Sequence, residues 1–402
     1  MLFDIYRKSF QENSLSLYWG GETWHPVWDI NTLYLYLFII CITWLFANIC
    51  NKRKDFYCRQ QNLNGGDFLN TLLYHPLFKI SFILLLLFMS LRGARVGIDT
   101  IAYRISFEDA TTIQNAFSGS TEPLYNLILF LLRSVFTNSQ IPIFFFSALI
   151  ITFVHNAIKQ CYPFLNLTIS LLAFVILYYF QSYNLVRITL ASSFLLWNFK
   201  LLLQNNYKAF AIRIIIATLI HYSSIVSFLP LCILLLYRKS RTLSLIVFFI
   251  IVFFIGVLTN TLQDYVVVFN RYTSYVDSNE STSGIGMALF IDYLPCLYVT
   301  YYLLRHKIKG NWSDLMIVFT LSAFIVRLLA YHIGIAGRLH THFMILTIIL
   351  LPYWVSNIKR IDRRVYKVLY PMCLMWLLIR LHLYLNSYLL IDGIMPYYFV
   401  WK

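Results

Sequence analysis

Stretches of about twenty apolar residues recur along this chain, and they constrain its fold more than any other feature. Segments of that length are read as membrane-spanning helices, because the hydrocarbon core of a bilayer is about 30 Å thick. Charged residues make up only 12% of the 402 positions, whereas a soluble domain carries about 25%. A chain so poor in charge cannot be covered by water on all sides, so we expect a membrane protein.

The apolar pattern predicts an all-α fold, a polytopic membrane helical bundle of roughly 12–13 hydrophobic helices. In lipid each backbone group must be satisfied within its own segment, which favours helices. The predicted helical segments lie near 30–49, 77–91, 122–136, 141–158, 164–181, 185–203, 208–220, 222–237, 242–260, 287–304, 313–333, 338–356 and 366–385. We expect 1–29 to be an interfacial lead-in and 30–402 a single transmembrane domain with outer-face loops at 92–121 and 261–286.

The basic residues lie mostly in short loops between the predicted helices. Such loops mark the cytoplasmic side, and this explains most of the net charge of +15 without a nucleic-acid partner. The loops are 52–59, 200–213, 238–241, 305–309 and 359–367. If all these loops are cytoplasmic, the helices between them must cross the membrane an even number of times. That requires one segment between 80 and 160 not to cross, and 122–136 is a candidate for a re-entrant helix.

Neither a metal nor another cofactor is expected. The seven cysteines show no paired spacing, so neither a zinc site nor a disulfide framework is predicted. His340 and His342 have no nearby carboxylate in the sequence, which makes a weak metal signal.

An arginine-rich loop follows the second apolar segment, and we call residues 91–100 the arginine loop. It contains Arg92, Arg95 and Asp99, with Tyr103 just beyond it. Arginine is suited to bidentate contacts with phosphate oxygens. The alternative interpretation is an internal Arg–Asp pair that fastens the loop.

Three further residues mark the starts and ends of predicted helices. Glu122 precedes Pro123, where capping of the helix is the ordinary interpretation and orientation of nearby arginines, or proton transfer, is the alternative. Arg187 begins a span without a neighbouring acid, so it either snorkels to the interface or serves a function. His221 interrupts an apolar run after a short helix, and a neutral histidine below the membrane surface can accept a proton.

The remaining candidates lie on the same predicted outer face. Arg271 with Tyr272, and Arg338 with His342, repeat the combination of arginine with an aromatic or imidazole ring. Several arginines, a deep histidine and a few carboxylates on one face are the composition expected for a site that binds a lipid-linked phosphate or pyrophosphate.

These motifs, in this order, resemble the EpsG/Wzy-like family of O-antigen and surface polysaccharide polymerases. The matching residues are Arg95-Val96-Gly97-Ile98-Asp99-Thr100 with Tyr103, then Glu122-Pro123-Leu124-Tyr125, Asn184 with Arg187 and Ala191, and His221-Tyr222-Ser223 before Pro230. The family more often has Gly-Thr-Asp where this chain has Gly97-Ile98-Asp99.

The resemblance implies a bundle similar to GT-C-like polymerases in the bacterial inner membrane, active on the periplasmic face. Such enzymes transfer a growing glycan from undecaprenyl pyrophosphate to the terminal sugar of a lipid-linked oligosaccharide repeat unit, without a metal. A chain-length regulator and a flippase of the same pathway are implied partners. In this interpretation Arg95, Arg187 and Arg338 hold the pyrophosphate, and His221, or else Asp99 or Glu122, is the base.

Other functions stay open at this point. A lipid-linked oligosaccharide transporter would also need a basic cavity, although the internal repeats common in transporters are not evident. An O-antigen ligase would share donor and chemistry and differ in its acceptor. An acyltransferase would also use a histidine, but the arginines favour a pyrophosphate donor.

Overall fold

A computed structural model describes residues 17–19, 22–24, 27–60, 76–118, 121–250, 287–329, 339–389 and 392–401. Over these residues the protein is an all-α helical bundle, which confirms the predicted fold class. Ahead of the bundle, strands β1 (Leu17–Trp19) and β2 (Glu22–Trp24) form a small antiparallel hairpin.

The helices coincide closely with the predicted apolar segments. In chain order they are α1 (Ile30–Gln60), α2 (Pro76–Ser90), α3 (Thr100–Asp109), α4 (Ile113–Ala116), α5 (Pro123–Val135), α6 (Ile141–Cys161), α7 (Leu167–Phe174), α8 (Val186–Trp197), α9 (Lys200–Leu203), α10 (Tyr207–Ile220), α11 (Phe228–Lys239), α12 (Arg241–Ile250), α13 (Met287–Arg305), α14 (Asn311–Leu329), α15 (Thr341–Met344), α16 (Thr347–Ile361) and α17 (Arg363–Leu383). Among the described residues, six helices are long and apolar enough to cross a membrane. The protein is therefore a multi-pass membrane protein.

Two predicted features need correction. The stretch predicted as a loop at 92–121 contains α3 and α4. Thr100, Tyr103 and Phe107 are buried along one side of α3, and its apolar residues alternate with Arg104, Ser106, Glu108 and Asp109. A helix of this mixed composition contains no long apolar run, so hydropathy did not predict it. The segment predicted near 338–356 is divided into two helices, α15 and α16, and residues 330–338 lie outside the described part of the chain.

Helix α5 has 13 residues and is therefore about 20 Å long, short of a hydrocarbon core of about 30 Å. Its C-terminal end, Phe136, is followed by an extended segment before α6. Helices α8 and α10 are of similar length, so the re-entrant position of 122–136 stays a prediction.

The centre of the bundle is α7, which is buried on every side and packs against α1 and α16. Helices that are apolar all round occur in such fully enclosed positions. The helix widens into a π-helical segment, Val175–Tyr179, and then a short 3₁₀ turn, Gln181–Tyr183. Single π turns often occur at functional sites, and this one leads directly into Asn184.

The bundle has two chemically different ends. Helices α8, α13 and α16 run from the end that carries the candidate site residues to the end that carries the basic loops, and α10, α14 and α17 run back. At the basic end, Asp314 pairs with Arg241 (3.2 Å) and Arg238 (3.7 Å), which ties the start of α14 to the junction of α11 and α12. Residues 261–286 lie outside the described part of the chain.

Candidate functional site

Glu122 joins the two most informative motifs of the sequence. Its Oε2 lies 2.5 Å from Arg187 Nη1, and its Oε1 lies 2.8 Å from His221 Nδ1. The Glu122 side chain is only 3% exposed, whereas those of Arg187 and His221 are 27% and 24% exposed. We call these three residues the Glu122 cluster; its carboxylate is enclosed, and the side chains of Arg187 and His221 are partly exposed.

The cluster is built from helix termini. Glu122 is the N-cap residue of α5, but its side chain makes no capping hydrogen bond. Arg187 lies in the first turn of α8. His221 takes an extended conformation where α10 ends, and a 3₁₀ turn, Tyr222–Ser227, follows it. Because all three residues lie at helix ends, their side chains can meet one another.

The charge state of Glu122 follows from its partners. Burial alone would raise the pKa of this carboxyl, but the hydrogen bond from His221 and the positive charge of Arg187 outweigh burial and lower the pKa to about 2. An acid this strong remains ionised at neutral pH and is a poor acceptor for a substrate proton. It is suited instead to orient His221, as the carboxylate does in a catalytic triad.

His342 contacts the 3₁₀ turn that follows His221. Its Nδ1 lies 2.9 Å from Ser192 Oγ and its Nε2 lies 2.9 Å from Ser223 Oγ. The ring is buried and its centroid lies 6.3 Å from that of His221. With both ring nitrogens engaged by serines, His342 fixes the position of the residues after His221 and offers little surface to a substrate.

The arginine loop is fastened from the inside by Arg92. This side chain is fully buried; it donates hydrogen bonds to the carbonyl oxygens of Met89 and Tyr183 and to Thr100 Oγ1. Its guanidinium also lies 5.0 Å from the ring centre of Tyr183. Arg92 therefore holds the loop to neighbouring backbone, which differs from the Arg–Asp pair considered as an alternative.

The C-terminal segment supplies the other side of that loop. Gly93 N donates to Tyr398 O (2.8 Å), Gly97 N to Gly393 O (2.9 Å) and Ile98 N to Asp392 O (3.1 Å). Arg95 is exposed, and its backbone N–H donates to the Tyr398 hydroxyl (2.7 Å). The loop conformation thus depends on residues about three hundred positions away.

Asn184 connects the arginine loop to the cluster. Its Oδ1 accepts the backbone N–H of Asp99 (3.0 Å), and its carbonyl oxygen accepts the hydroxyl of Tyr103 (3.0 Å). Asp99 and Tyr103 thereby lie next to the first turn of α8, one turn from Arg187. The structure brings together Asp99, Tyr103, Glu122, Arg187, His221 and His342, while Arg271, Tyr272 and Arg338 lie outside the described residues.

A cavity of about 260 Å³ lies beside these residues. Its walls contain charged residues that the sequence analysis did not predict as site residues. Asp292 pairs there with Arg380 and, at 3.8 Å, with Arg327. Asp392 occupies another wall, where it accepts hydrogen bonds from Tyr384 (3.0 Å) and Asn184 (3.4 Å). Asp292, Arg327 and Arg380 could have been predicted from the sequence, because ionisable residues inside apolar helices usually mark a functional site.

Within the described ranges, no group of three His, Cys, Asp or Glu side chains is placed to hold a metal ion. Comparison with known proteins gives one result: the model described as the EpsG family matches residues 76–399. Searches of curated proteins and of solved structures give no match.

Proposed function

Because this chain belongs to the EpsG family, which suggests a glycosyltransferase-like polysaccharide polymerase, we propose that it polymerises an O-antigen or similar surface glycan. It transfers the growing chain from undecaprenyl pyrophosphate to the non-reducing end of a lipid-linked repeat unit. The observation that carries this proposal is the Glu122 cluster, where an ionised carboxylate holds a histidine and an arginine side by side.

His221 is the general base in this mechanism. Its Nδ1 faces Glu122 Oε1 at 2.8 Å, and a carboxylate there accepts the Nδ1–H, so the lone pair of Nε2 is available for a proton. Nε2 takes the proton of the acceptor hydroxyl as the hydroxyl oxygen forms its bond to the anomeric carbon of the donor. Glu122 stabilises the imidazolium that results.

Arg187 assists the leaving group. As the new glycosidic bond forms, the bond between the anomeric carbon and the pyrophosphate oxygen breaks, and the electron pair departs with the pyrophosphate. One edge of the Arg187 guanidinium is held by Glu122, but a guanidinium has five N–H donors and this side chain is 27% exposed. Its remaining donors can bind the growing negative charge, with Arg95 and Arg338 as further candidates.

Direct displacement inverts the anomeric centre. The basic loops at the opposite end of the bundle support a cytoplasmic location for that end, and hence a periplasmic location for the Glu122 cluster in the bacterial inner membrane. In the cell, a flippase that delivers the lipid-linked unit and a chain-length regulator of the same pathway are the proposed partners.

The test uses purified protein, undecaprenyl-pyrophosphate repeat units from the host and gel separation of the products. Wild type should give a ladder of repeats, and His221→Ala and Arg187→Ala should give none. His306→Ala, an exposed histidine at the basic end, and Arg133→Ala, at the far end of α5, are the matched controls and should retain the ladder.

Two results would contradict the proposal in different ways. A ladder that survives both substitutions would keep the polymerase and discard this site. Intact substrate with folded wild-type protein and no ladder would favour a transporter or a ligase.

A further inference from the structure

We infer that the cavity bounded by Asp292, Arg327, Arg380 and Asp392 binds a sugar ring of the glycan substrate; we call it the Asp292 cavity. The inference rests on the proposed function, because it takes the ligand to be a lipid-linked glycan. It assigns the recognition of sugar to a different place from the chemistry at the Glu122 cluster.

The charges on the walls argue for a sugar and against the pyrophosphate. Two arginines and two aspartates line the cavity, and both arginines pair with Asp292, so the acidic and basic side chains balance. Phosphate oxygens only accept hydrogen bonds from such walls and are repelled by carboxylates. A sugar hydroxyl both donates and accepts, so it can bind Asp292 or Asp392 and an arginine at once.

Shape and lining point the same way. A volume of about 260 Å³ lies just under the usual range for small-molecule sites, about 300–1,000 Å³, and suits a single ring rather than an oligosaccharide. Tyr178, Tyr293 and Trp376 contribute aromatic walls, which combine a broad apolar surface with a polar tip. The amides of Gln181 and Asn184 add further donors and acceptors.

The cavity adjoins the chemistry through two short connections. Asn184 lines it and lies one turn before Arg187, and His340 lines it two residues before His342. A sugar held here would therefore place the rest of a lipid-linked glycan beside the Glu122 cluster.

The experiment measures binding of a probe that has no lipid and no phosphate. Single repeat units are released from the host's surface polysaccharide, labelled at the reducing end and titrated against purified protein by thermophoresis. Asp292→Asn should weaken binding at least tenfold, because it removes an acceptor and leaves two arginines unbalanced. Asp314→Asn is the matched control, since Asp314 also pairs with two arginines but at the basic end, and it should bind like wild type.

Inorganic pyrophosphate, titrated in parallel, separates the two ligand chemistries. If Asp292→Asn binds pyrophosphate more tightly and the repeat unit unchanged, the cavity is an anion site and the inference is wrong. Should Asp292→Asn fail to fold, as judged by size exclusion, Gln181→Ala decides instead: it leaves every charged residue in place and should weaken repeat-unit binding severalfold, and unchanged binding refutes the inference.

The ladder assay on the same preparations keeps the two proposals apart. A ladder from wild type with repeat-unit binding unaffected by Asp292→Asn would refute the sugar site and leave the polymerase. Binding that depends on Asp292, with no ladder from wild type, would establish the sugar site and refute the polymerase.

Discussion

Replacement of Glu122 by glutamine tests whether the cluster works as one unit. The substitution keeps the size and one carbonyl acceptor of the side chain but removes its charge. A fall in the pKa of Glu122 from 4.5 to about 2 corresponds to roughly 3 kcal/mol in favour of the ionised form. If that whole interaction served the transition state, its loss would slow the reaction about 10²-fold, so we expect kcat/KM to fall by about 10- to 10²-fold.

The measurement is the initial rate of ladder formation for Glu122→Gln, His221→Ala and the double variant. Loss of a general base typically costs about 10²–10⁴-fold, so His221→Ala should be the slower single variant. Since Glu122 acts through His221, the double variant should be no slower than His221→Ala. Glu108→Gln, an exposed glutamate on α3, serves as the control and should match wild type.

Additive losses would refute this reasoning. If the double variant is slower than His221→Ala by the full factor that Glu122→Gln shows alone, then Glu122 contributes independently of the histidine. An unchanged rate for Glu122→Gln in protein of normal thermal stability would show that the carboxylate has no part in the reaction.

Three further predictions follow from the same contacts. The ionised form of Glu122 stabilises the fold above pH about 4.5, and that contribution is lost as the pH falls toward about 2. Acid should therefore lower the thermal midpoint of wild type more than that of Glu122→Gln. The thermal midpoints are measured by tryptophan fluorescence. Gly97→Ala places a methyl group 2.7 Å from a carbonyl oxygen at φ +91° and should destabilise more than Gly310→Ala, which has φ +136° and open space; equal losses would contradict the clash. Ser223→Ala should lower kcat about tenfold with little change in KM, as expected for loss of one hydrogen bond to His342, and a lowered affinity alone would contradict a positioning role.

Most of the fold could be predicted from the apolar segments. Their lengths and ends reproduce helices such as α6 and α14 within a few residues, because in lipid a long apolar run can only be helical. The break at His221 was predicted because the apolar segment before it is too short to span the membrane. Helix α3 was missed because its apolar residues are interspersed with polar and charged ones, so no long apolar run marks it.

The candidate site could be predicted only in part, because its contacts join distant positions. Nothing near Glu122 in the sequence indicates that its partners are Arg187, 65 positions on, and His221, 99 positions on. The same limit hid the role of Arg92, whose partners include a carbonyl on another helix. The local sequence shows that a charged residue lies at a helix end, but its partner is determined by tertiary packing.

One arrangement recurs in the described residues: a carboxylate within ion-pair distance of two basic side chains. Glu122 has Arg187 and His221, Asp292 has Arg327 and Arg380, and Asp314 has Arg238 and Arg241. Burial of a lone charge is costly, and pairing reduces that cost, so the arrangement by itself indicates only that these charges are enclosed. The surroundings separate the cases: Asp314 ties helices together at the basic end, Asp292 borders a cavity, and Glu122 holds a histidine whose second nitrogen remains available. The assignment of chemistry to Glu122 and recognition to Asp292 therefore depends on what each carboxylate leaves accessible, and the Asp314→Asn control tests that distinction directly.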